Sequence, residues 1–176
     1  MQRTASVAEF MSEARSVLSR GVSKEKLEEV GRLLAASSGV PGFVGESGMR
    51  ELHGGAASFT ILQTDDDGLT LMLARFTPTE TPVHDHNSWG VACVVQGLDR
   101  YKHWRMGEGG HVEVLYEKDM APGEFVTWLD PPQDIHSQQG VGGDALELVL
   151  FGKKVMNMHR RYYDPVTGEV RTGPPQ

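Results

Sequence analysis

Beyond residue 38 the chain is cut into short apolar segments by glycine and proline, which limits what it can fold into more than any other feature. Most of its twenty-one glycines and nine prolines lie in this region. Alternating or apolar runs of roughly four to eight residues, closed by Gly, Pro or Asp-Gly, suit strands and are too short for independent helices. Such runs occupy 57–63, 69–76, 89–96, 100–105, 111–116, 125–129 and 146–151. Asp65-Asp66-Asp67-Gly68 joins the first two as a hairpin signal. Seven or eight strands at this spacing predict a mainly β fold, an antiparallel barrel or double sheet.

Ahead of this region the pattern is helical. Val7, Phe10, Met11, Ala14, Val17 and Leu18 recur at three- and four-residue steps and end at Gly21. A second stripe, Leu27, Val30, Leu33 and Leu34, follows the N-cap candidate Ser23. The expected organisation is one domain of 176 residues: N-terminal helices over 1–40 packed on a barrel over 41–170, with a disordered tail at 171–176. The single cysteine, Cys93, excludes an intramolecular disulfide and points to a reducing, cytoplasmic setting. Cys93 itself reads as a small buried apolar residue. A net charge of -7 without a basic stripe argues against a nucleic-acid partner. No run approaches the ~18 apolar residues of a membrane span, and the N-terminus has no signal-peptide h-region.

Chemistry concentrates at Pro82-Val83-His84-Asp85-His86. In a strand, residues two apart share a face about 7 Å apart, so His84 and His86 can converge on one ion. Alone, such a pair also fits an exposed polar alternation. A third histidine, His136, follows the predicted strand at 125–129, late in the barrel. His103 lies in an alternating stretch, while His111 and His159 read as surface residues; His53 completes the set. Trp89 is a candidate pocket wall, and Asp85 and Asp134 are candidates for orienting the ligand rings.

The segment PVHDHNSWGVACVVQG, with Gly123 and with Pro131 before His136, resembles the two motifs of a cupin. The HDH run and the ending RRYYDPVTGE further resemble the thiol dioxygenases, the cysteine and 3-mercaptopropionate dioxygenases, over roughly residues 57–170. That resemblance implies a double-stranded β-helix and a three-histidine centre of His84, His86 and His136. It also implies an Fe(2+) cofactor, with Zn, Ni or Mn as other candidates, and a small-molecule substrate oxidised by O2. Arg160, nine residues after Phe151, matches the arginine that holds the substrate carboxylate, and Tyr163 or Tyr162 is a candidate hydroxyl.

The likeness breaks where the family carries Ser, His and Tyr late in the barrel. Here those positions are Glu147, Val149 and Phe151, which predicts altered chemistry or a less polar substrate. The expectation is an iron-dependent dioxygenase acting on a small chelating substrate, a thiol first. A non-thiol substrate, a metal-dependent isomerase, lyase or hydrolase, and a non-catalytic metal-binding protein remain open. The chain is expected to act without a membrane, as a monomer or homodimer.

Overall fold

The computed structural model describes residues 6–45, 56–155 and 158–173. Helices α1 (Val7–Leu18) and α2 (Lys24–Ser38) carry the two predicted apolar stripes. Ser6 and Ser23 cap them, each accepting a backbone N–H three residues on, from Glu9 and Lys26. No helix among the described residues is long and apolar enough to cross a membrane.

Among the described residues eleven strands follow: β1 (Ala57–Thr64), β2 (Thr70–Phe76), β3 (Val83–His84), β4 (Gly90–Gln96), β5 (Asp99–Met106), β6 (Val112–Met120), β7 (Phe125–Trp128), β8 (His136–Gly140), β9 (Ala145–Phe151), β10 (Arg161–Tyr163) and β11 (Val170–Thr172). They form two antiparallel sheets, in the orders β1-β2-β9-β4-β7 and β11-β10-β3-β8-β5-β6. The central eight, β2 to β9, alternate so that β2-β9-β4-β7 faces β3-β8-β5-β6. This strand order is that of a jelly roll, the double-stranded β-helix.

The five-stranded sheet is covered on both faces. On its outer face Leu71, Leu73, Val91, Cys93, Leu148 and Leu150 pack under the helices; on its inner face Met72, Ala74, Ala92, Val94, Val149 and Phe151 line the barrel. Double coverage explains why β2 and β9 read as nearly unbroken apolar runs. Gly31 lets α2 approach β7, since a Cβ there would lie 2.4 Å from the Phe125 ring. Cys93 is fully buried in the outer core, where burial pushes its thiol up to about 12.

Three strands escaped the sequence reading. β8 is the polar run HSQQG, and β10 with β11 forms a short hairpin. Arg171 and Thr172, expected in a disordered tail, pair with Tyr162 and Arg161. The turn that closes this hairpin holds together because Asp164 accepts the N–H groups of Val166 and Thr167. The last residues of that expected tail, 174–176, and His53 lie outside the described residues.

Candidate metal centre

The ligand pair sits where β3 stops. Asn87, at φ 51°, turns the chain in the left-handed region that asparagine tolerates, and β4 starts three residues later. His84 pairs across the ladder with His136, the first residue of β8, so both rings point into the barrel. The coordinating atoms of His84, His86 and His136 all lie within 4.8 Å of one another, and all three residues are buried.

Backbone carbonyls fix the tautomers of His84 and His136. Nδ1 of His84 lies 2.8 Å from the Pro82 oxygen and Nδ1 of His136 lies 2.9 Å from the Asp134 oxygen. Donation from Nδ1 leaves each Nε2 with its lone pair free for the centre. Nε2 of His86 lies 3.2 Å from Nε2 of His136. Nδ1 of His86 has no partner among the described residues, so His86 can carry its proton on Nε2 and donate it to His136 Nε2 until a cation takes that proton's place. Burial, with Arg160 and the neighbouring rings, holds all three imidazoles below their ordinary pKa, His84 at about 3. They are therefore neutral and able to ligate. Among the described residues no carboxylate joins the cluster.

The acids beside the centre position it. Asp134 accepts the His86 backbone N–H at 3.1 Å, and burial raises its carboxyl to about 6. Asp85, fully buried, turns away and accepts the Arg161 backbone N–H at 3.0 Å, Arg161 Nε at 2.6 Å and the Tyr163 hydroxyl at 2.7 Å. Two sequence expectations are corrected here. Tyr163 pairs with Val83 in the ladder and shares its outward face, whereas Tyr162 pairs with His84 and lines the cavity. Trp89 shares the outward parity of Val91 and Cys93 and packs under the helices, while Trp128 takes the inner position. The Trp128 ring stacks 6.4 Å from His86 and donates Nε1–H to the Ser88 carbonyl at 3.0 Å.

The three rings open onto a cavity of about 510 Å³. Phe59, Met72, Ala74, Phe76, Val149 and Phe151 make much of its wall apolar, and the Phe151 ring lies 4.6 Å from that of His86. Arg160 lines the same cavity; its Nε has no partner among the described residues, and its guanidinium interacts with Tyr162. Burial lowers its pKa from the ordinary value. His103, the ladder neighbour of His136, shares its inward face but lines a separate cleft beside Trp128 rather than this cavity, half-buried and stacked 5.2 Å from Tyr116; His111 and His159 are exposed.

Glu147 belongs to a buried polar cluster. It is fully buried with Asp99, to which it hydrogen-bonds, and the Gln138 side-chain amide donates to both, at 2.8 Å to Glu147 and 3.3 Å to Asp99. Burial pushes both carboxyls up, Asp99 to about 7 and Glu147 well above its ordinary value. The sequence reading missed Asp99 and Gln138. Their only signal was the odd-residue alternation of β5 and the even-residue alternation of β8.

No protein-family model matches the chain, and no curated protein matches it. Solved structures do resemble it in fold. An oxalate oxidase in complex with glycolate is 21% identical over 56% of this chain and 51% of that one, with a TM-score of 0.44. The chain thus spans about half the length of that relative. DMSP lyase DddQ from Ruegeria pomeroyi is 16% identical over 63% of this chain and 56% of its own, at 0.46. An RmlC-like cupin protein from Ralstonia eutropha is 18% identical over 68% and 69%, also at 0.46. The jelly roll itself rests on the strand order of this chain.

Proposed function

We propose that this chain is a mononuclear non-haem iron dioxygenase that oxidises a small chelating substrate, a thiol in the first instance. The observation that carries the reading is the set of three buried, neutral imidazoles converging at the wall of a cavity that is also lined by the half-buried Arg160. Ferrous iron in such a site would supply open positions at which a chelating substrate and dioxygen are activated together. Three neutral ligands do not offset the ion's charge, so an anionic thiolate gains more by approaching it. Arg160 offers a planar fork to a substrate carboxylate, and Tyr162 steadies that fork. Phe151 and Trp128 pack on the histidine rings and keep bulk water from them. The overall change is R–SH + O2 giving R–SO2H, with both oxygen atoms ending on sulfur.

The test is to load the purified protein with ferrous iron under argon and add cysteine or 3-mercaptopropionate with oxygen. The expected result is one O2 consumed per sulfinate formed, measured by electrode and mass spectrometry. His84→Ala and His136→Ala should each lower bound iron and abolish turnover; iron content unchanged in both would remove the site. The apolar positions Val149 and Phe151 favour a second reading, a non-thiol chelating substrate at the same centre. Iron binding without oxygen uptake with either thiol would move the choice to that reading.

A further inference from the structure

Gln138 is the one neutral amide on the cavity wall, and its surroundings dictate which end of the amide faces inward. Both N–H bonds of its Nε2 are committed behind the wall, to Glu147 and Asp99. Its backbone is fixed as well: the N–H donates to Thr81 Oγ1 at 3.0 Å, and the carbonyl accepts the Thr81 N–H at 2.9 Å. The reversed amide would set its carbonyl oxygen against two carboxyl groups and leave both of its N–H bonds without these acceptors. The amide oxygen is what remains to meet a ligand. We infer that Gln138 presents its side-chain oxygen to the cavity as a hydrogen-bond acceptor, so that the ligand carries a donor, a hydroxyl or ammonium group, beyond its metal-binding end.

This inference rests on the metal-centre reading above and adds a second recognition point to it. Gln138 lies two residues beyond His136 on β8, which places it about 7 Å along the strand from that ring. Between the two points the wall is apolar, from Met72, Ala74, Val149 and Phe151. The ligand described is a short aliphatic chain with a chelating head and a donor some four or five atoms away. The acceptor discriminates because a buried polar group left unpaired loses the hydration it had in water.

The test uses three thiol probes of nearly equal length and different ends: mercaptobutanol, which can donate, its methyl ether, which can only accept, and pentanethiol, which can do neither. Each is titrated into protein loaded with Co(2+), and binding is read from the thiolate-to-cobalt absorption band, independently of turnover. Cobalt content is measured first by mass spectrometry. Mercaptobutanol is expected to bind about tenfold more tightly than either other probe. Gln138→Met should erase that preference while retaining cobalt. Equal binding of alcohol and ether, no preference in the parent protein, or a preference surviving Gln138→Met would each overturn the inference and leave the metal centre standing. Failure of the parent protein to take up cobalt would overturn the centre itself and this inference with it. If Gln138→Met does not fold, the three-probe comparison on the parent protein decides alone.

Discussion

Arg160 is the residue whose placement carries most chemical consequence. A guanidinium whose buried Nε has no partner among the described residues, beside three imidazoles, is costly to keep unless an anion completes its hydrogen bonds. Arg160→Gln should therefore weaken binding of a carboxylate-bearing thiol by roughly tenfold to a hundredfold, the range of a charge-assisted pair worth about 1.5–3 kcal/mol. Metal content should stay the same. Comparing 3-mercaptopropionate with propanethiol in both proteins checks this, since only the carboxylate probe should lose affinity. At this scale His84 and His86 were legible because the i, i+2 rule gives two rings one face without knowledge of the fold, and His136 because the cupin resemblance supplies a third ligand late in the barrel. The choices between Trp89 and Trp128 and between Tyr162 and Tyr163 were not. Each depends on which strand parity faces inward, and two adjacent aromatic residues, or a tryptophan ahead of an apolar run, carry no alternation to reveal it. Glu147 was visible as an oddity among apolar residues, but its partners Asp99 and Gln138 come from two other strands.

Among the elements, β4 and β7 meet where Gly90 faces Trp128 in the ladder. A Cβ on Gly90 would lie 2.2 Å from the Trp128 ring, so this glycine sets how closely the indole lies to β4 and hence to His86 and His136. Gly90→Ala should cost about 1–3 kcal/mol as an overpacked core and lower metal affinity as well. Urea unfolding and a metal titration measure the two effects separately, and an unchanged metal titration would show that the indole does not brace the rings. On the opposite sheet, β10 is tied to the ligand loop through buried Asp85. Tyr163→Phe removes one of the three donors to that carboxylate and should destabilise the protein by about 1–3 kcal/mol, without altering the cavity wall. Full stability in urea would show that Asp85 is satisfied by Arg161 alone. The elements read correctly from sequence, both helices and the apolar strands, announce themselves by periodicity. β8, β10 and β11 are short and polar and gain their partners only once the barrel closes, so no local pattern marks them.

Across the whole molecule, the barrel interior carries two buried titrating sets whose effects on stability run in opposite directions. In the metal-free protein the histidines are held below 6.5, His84 at about 3. Between those limits the unfolded chain binds more protons than the native one, so stability rises as pH rises through that window. Asp99 and Glu147 behave in reverse. Burial raises them from 3.8 and 4.5, Asp99 to about 7, so the native state binds more protons than the unfolded one. Their contribution is fully present below about pH 4 and is lost as pH rises towards and beyond 7. Glu147→Gln isolates the second set, because an amide can still donate to Asp99 and accept from Gln138 but does not ionise. Its melting temperature relative to the parent should therefore climb steadily from pH 4 to pH 8, by a few degrees, since about 1 kcal/mol corresponds to a shift of about 2–4 °C in a chain of this size. Differential scanning calorimetry of both metal-free proteins across that range reads the slope directly. A constant difference between them would mean that Glu147 titrates alike in the native and unfolded states, and that the buried carboxyl pair does not hold a proton that folding makes harder to lose.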